Sequence, residues 1–134
     1  MQREVIITND FMSMWYYPQA KIVHHQFHQY MFGEPFRECL LKGAELMETH
    51  QATKWLSDDR KTSAVHPDDS AWAQQVWVPR VIAAGWKHWA VVLPHKVVGQ
   101  MNMRELLAMY GKLGVQGELF SNPDEAMLWL TRQA

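Results

Sequence analysis

The strongest constraint in this chain is its punctuation. Across the last two thirds, helix-start signals alternate with short runs of β-branched and aromatic residues. Pro67-Asp68-Asp69 puts a proline early in a helix and two carboxylates at the positive end of its macrodipole. Asn102 to Glu105 has the spacing of a capping box ahead of Met103, Leu106, Leu107 and Tyr110. Asn122-Pro123-Asp124-Glu125 repeats the start signal for a last helix bearing Ala126, Met127 and Leu130. Gly85 and Gly114 stand where left-handed caps end helices. Residues 86–93, WKHWAVVL, then read as a buried strand stopped by Pro94, and residues 115–120 as the final strand. Pro79 removes a backbone donor inside the second helix and should kink it.

Upstream, Phe36, Leu40, Ala44 and Met47 make an apolar stripe at helical spacing over residues 35–50, followed by a short strand at 52–56 and a polar loop at 57–65. Residues 5–9, 11–17 and 21–31 read as three successive strands, joined as hairpins or a meander. The expected order is βββαβαβαβα, an α/β class domain spanning residues 1–134. Its C-terminal two thirds should form parallel strands joined by right-handed crossovers.

Charge narrows the functional classes. The chain has 134 residues, 20% of them charged, and a net charge of −1 with both signs interspersed, which leaves no basic footprint for nucleic acid. A lone Cys39 cannot form an internal disulfide. The opening MQREVIITND carries charges where a signal peptide needs an apolar core, and no apolar run approaches a membrane span. A cytoplasmic domain without integral membrane contact is expected. Seven Trp and nine Met are many for this length, and an interface or a ligand pocket would use such a surplus.

The segments ATKWLSDDR (52–60), AAGWKHWAVVLP (83–94), VVGQMNM (97–103) and FSNPDEA (120–126) resemble a group of small bacterial proteins of the SpoIIAA-like superfamily. That superfamily sits beside the STAS anti-sigma-factor antagonists and the CRAL-TRIO lipid-binding domains. The resemblance implies a mixed sheet with helices mainly on one face and a non-enzymatic regulatory or interaction role. It also implies a homodimer or another protein as partner. Its CRAL-TRIO side implies instead a carrier or sensor for a small apolar ligand. STAS antagonists carry a phosphorylatable serine in an Asp-Ser-Ser/Thr-Gly-like turn. The corresponding loop here, residues 57–63, lacks the glycine and the Asp-Ser order, leaving Ser63 or Ser57 as candidates for modification.

Ligands of open α/β sheets bind where loops diverge beyond the strands' carboxyl ends. That rule points to Asp58, Asp59 and Arg60, with His95 and Lys96 after the next strand and Ser121 and Asn122 at the same edge. The plainer duty of such residues is helix capping or pairing with one another. On the aromatic strands, Met12, Met14, Trp15, His24 and His28 are candidates for an open, self-associating face. His24 and His28 on one strand lie about 13 Å apart, too far for a shared zinc ion, while His25 points to the opposite face. No metal site and no cofactor are expected. Hydrolase, dinucleotide and P-loop signatures are absent, and any acid–base work would fall to Asp58, Asp59, His66 or His95.

Overall fold

The computed structural model describes residues 1–134. Strands β1 (Glu4–Thr8), β2 (Met12–Tyr17) and β3 (Ile22–Phe27) open the chain. Helix α1 (Gly33–His50), β4 (Lys54–Asp58), α2 (Pro67–Trp72), a π-helical turn (Ala73–Trp77) and α3 (Val78–Ala84) follow. β5 (His88–Val92), α4 (Val97–Gly111), β6 (Gln116–Phe120) and α5 (Pro123–Thr131) complete it. The six strands form one mixed sheet in chain order, antiparallel from β1 to β3 and parallel from β3 to β6. No helix is long and apolar enough to cross a membrane.

Period-two alternation sorts side chains between two layers. Met12, Met14, Tyr16, Val23, Phe27, Trp55, Trp89 and Val91 join residues of α1, the π turn, α3 and α4 in the larger core. Tyr17, Ile22, Leu56, Ala90 and Val92 meet Ala126 and Leu130 of α5 in the smaller one. Met12 and Met14, expected at an open face, are therefore fully buried in the chain's own core, and only Trp15, His24 and His28 of that set lie on the other side. Adjacent positions cannot share a face on a strand, so the proposed set divides in two.

Several boundaries move for identifiable reasons. The break expected at Pro79 is a π turn in which the Val78 N–H reaches the Ala73 carbonyl. Pro79 has no N–H for the next α-helical bond, so the helix widens by one residue and restarts. Helix α4 begins at Val97 and not at Asn102; the Asn102 Oδ1 accepts the Val65 N–H at 3.0 Å and so ties down the loop instead of capping. Asn122 does cap α5, accepting from Asp124 at 2.7 Å. Gly33, at φ +66°, turns the chain into α1, where Asp69 supplies the cap by accepting the Gly33 N–H at 2.8 Å and Arg37 Nε at 2.9 Å. Ser57 and Asp58 belong to β4 and not to the following loop.

Candidate functional site

Between the sheet and helices α1, α2 and α4 lies a cavity of about 60 Å³. Its wall is mostly apolar and includes Phe27, Phe36, Trp55, Trp77, Trp89 and Tyr110. Such a volume exceeds the roughly 10–15 Å³ that one water requires and falls short of the roughly 150 Å³ that admits benzene. The tryptophan surplus is thus largely internal. Trp55 packs edge-on against Trp77 at 5.5 Å and 87°, Trp77 against Trp86 at 5.4 Å, and Trp86 against Trp89 at 5.5 Å. Tyr110 closes one side, and burial pushes its phenol up to about 12, so it stays neutral.

Polar side chains from β3, β4 and the loop after it interrupt this wall. His25 on β3 and Ser57 on β4 are register partners, and Asp59, just past β4, extends the same alternation to the same face. The His25 Nε2 lies 2.7 Å from Asp59 Oδ1, and Trp55 Nε1 donates to His25 Nδ1 at 2.9 Å. Burial pushes the imidazole pKa down, but Cys39 and Asp59, through charge and hydrogen bonds, outweigh it and raise it to about 10. Both ring nitrogens are engaged, one by Trp55 and one by Asp59. The one buried side-chain nitrogen or oxygen without a hydrogen-bond partner is His88 Nδ1, so the Asp59 carboxylate is not a buried orphan.

Trp89 Nε1 donates to Ser57 Oγ at 2.9 Å, and Thr62 Oγ1 accepts the Met31 N–H at 3.0 Å. Ser63, the candidate for modification, is half-buried in the same wall, beside the start of α4.

The anticipated polar edge is reached by the backbone but not by one cluster of side chains. The His95 N–H meets the Arg60 carbonyl at 3.1 Å, which brings the two loops together. Yet Asp58 and Asp59, adjacent in the chain, point to opposite faces. Asp58 is 3% exposed and holds Arg60 through two bonds of 2.9 and 2.8 Å, whereas Asp59 turns to His25. This overturns the expectation of a convergent Asp58–Asp59–Arg60 group, since a strand's alternation separates neighbours. His95 and Lys96 are exposed, and Lys96 makes no side-chain cap to α4. His66 caps α2, its Nδ1 accepting the Asp68 N–H at 3.1 Å.

On the opposite sheet face the His24 ring lies tilted against Trp15, centroids 4.8 Å apart, and its Nδ1 lies 3.2 Å from the Tyr17 hydroxyl. His28 Nε2 is 2.9 Å from Ser13 Oγ, and the Arg3 guanidinium lies 4.4 Å over the Trp15 ring. The three neighbouring imidazoles do not share a site, and no group of three His, Cys, Asp or Glu side chains converges anywhere. Burial drives the His24 pKa down to about 3, with His25 and Arg3 adding to the shift and Asp58 opposing it. Because the folded value lies below the unfolded one, the unfolded chain takes up the proton first as pH falls. Stability contributed by neutral His24 is whole above the unfolded pKa and is lost progressively down to the folded one. Urea titrations should show the wild type losing about 1 kcal/mol relative to His24→Gln between about pH 6.5 and 5.5. Parallel pH profiles for the two would mean that His24 protonates freely in the fold.

The His25–Asp59–Trp55 group escaped sequence reading, and the only hint was that His25 alternates away from His24 and His28. No protein-family model matches the chain, and no curated protein or solved structure matches it either.

Proposed function

We propose that this chain is a non-catalytic carrier or sensor for a small, mainly apolar ligand held in the aromatic cavity. The observation that carries this reading is the cavity itself, about 60 Å³ walled by Trp55, Trp77, Trp89, Phe36 and Leu40 with a few polar residues, Asp59 and Ser57 among them, in its lining. Recognition pockets combine an apolar wall with a few fixed polar groups in this manner. A non-catalytic role is supported by His25, whose two nitrogens already serve Trp55 and Asp59 and leave none to act as a base. A reducing, cytoplasmic setting suits the buried free thiol of Cys39. Membership of the SpoIIAA-like superfamily, and with it a bacterial source and regulatory duty, is part of the same proposal. The parallel run of β3 to β6 in chain order agrees with it.

Filling the cavity tests this. Ala73 lines it, and Ala73→Leu adds three carbons there. Xenon, read by chemical shifts of the indole N–H signals, should bind the wild type, and Ala73→Leu should weaken that binding at least tenfold while the fold persists. Equal binding by both proteins would reject the cavity as the site.

A second reading, self-association, rests on the sheet face at β1 to β3. Helix α5 packs on β4, β5 and β6, while Val5 on β1 is 65% exposed and shares its side with Trp15. Native mass spectrometry separates the two: a dimer without adduct favours association, and a small adduct lost on denaturation favours the carrier.

A further inference from the structure

The first turns of α4 leave apolar side chains in solvent. Gly99 and Met103 are buried, whereas Val97 is 68% exposed, Met101 59% and Val98 58%, and Val97 is the most exposed large apolar residue of the chain. Positions 97, 98 and 101 fall on one side of the helix. Single exposed apolar residues are ordinary on a protein surface, but an adjoining group marks a contact.

The charges around this group are of one sign. Residues 93–104 and residues 60–67 contain Arg60, Lys61, Lys96 and Arg104 and no aspartate or glutamate, in a chain whose net charge is −1. The two segments adjoin. The His95 N–H donates to the Arg60 carbonyl at 3.1 Å, and a Cβ on Gly99 would meet the Ser63 backbone at 3.1 Å. Asp58 holds Arg60, but Lys61, Lys96 and Arg104 are exposed and enter no ion pair with the chain's own carboxylates. Tyr30 and Phe32, stacked at 5.6 Å and exposed, stand at the same end of the sheet, because the Met31 N–H between them donates to Thr62.

From this juxtaposition we infer that the edge docks on an anionic lipid bilayer. Val97, Val98 and Met101 enter the headgroup region, and Lys61, Lys96 and Arg104 meet lipid phosphates. Such a surface offers negative charge at one depth and alkyl carbon just beneath it, which is the order in which this edge presents its cations and its aliphatic groups. The exposed apolar groups come from two separate segments, after β3 and after β5, and form neither the helix groove nor the strand edge by which peptides dock. The chain lies on the bilayer and does not cross it.

Flotation of the intact chain with lipid vesicles tests this. Vesicles of equal parts phosphatidylserine and phosphatidylcholine should carry the protein, and pure phosphatidylcholine should carry at least about tenfold less. Lys61→Glu/Lys96→Glu should lower binding to the anionic vesicles by at least about tenfold, and Val97→Asn/Met101→Asn by a similar factor, both with Tm unchanged because the positions are exposed. Equal flotation on the two vesicles would overturn the role of the cations. Wild-type binding by Val97→Asn/Met101→Asn would overturn insertion. No flotation with the anionic vesicles would overturn the proposal as a whole and return the patch to a protein partner.

Discussion

Gly43→Ala should destabilise the chain by about 3 kcal/mol, although the same change in an exposed helix interior stabilises by about 1 kcal/mol. Gly43 lies in the middle of α1, and a methyl group there would fall inside the indole ring of Trp55. The ring has nowhere to go. It is 1% exposed, packs edge-on against Trp77 at 5.5 Å and donates to His25 at 2.9 Å. Either α1 lifts from the sheet or the indole leaves His25, and the second course leaves a buried indole N–H without its partner. Urea unfolding gives the size of the effect, and the Trp55 indole N–H signal reports which course the chain takes. A stabilised variant would show that Trp55 moves freely and that its bond to His25 is dispensable.

Arg60→Ala should cost about 3 kcal/mol, because it leaves the Asp58 carboxylate buried without its partner. Arg60 is one-third exposed and looks dispensable by exposure, but Asp58 is only 4% exposed at its side chain and relies on both guanidinium bonds. Asp58 also raises the Arg60 pKa, chiefly through these hydrogen bonds, as a real pairing requires. The double variant Asp58→Ala/Arg60→Ala removes the charge together with its partner and should recover part of the loss, giving a coupling of more than about 1 kcal/mol in the cycle. An Arg60→Ala protein as stable as wild type would free this residue for the ligand-binding edge that its place after a strand suggested.

Local chemistry was readable wherever it acts within about one helical turn. The cap at Asn122, the left-handed turn at Gly85 and the break near Pro79 depend on neighbours in sequence and stand where expected. The start of α4 did not. Asn102 has a capping residue's chemistry, but its oxygen accepts from Val65, which lies 37 residues earlier. The same limit applies to the cap of α1, which Asp69 supplies from α2.

The order of strands and helices, and the period-two alternation that separates Asp58 from Asp59, were already present in the chain as written. Which face became core was not, because β2 carries large apolar groups on both sides and alternation alone cannot choose between them. The helices made that choice: Met12 and Met14 share the larger core with residues of α1, the π turn, α3 and α4. The His25–Asp59 pair spans 34 residues and exists only through the parallel register of β3 on β4, which sets His25 beside Ser57. Periodicity assigns a side chain to a face, whereas register between distant strands assigns its partner, and such pairing is fixed by the packing of the whole sheet.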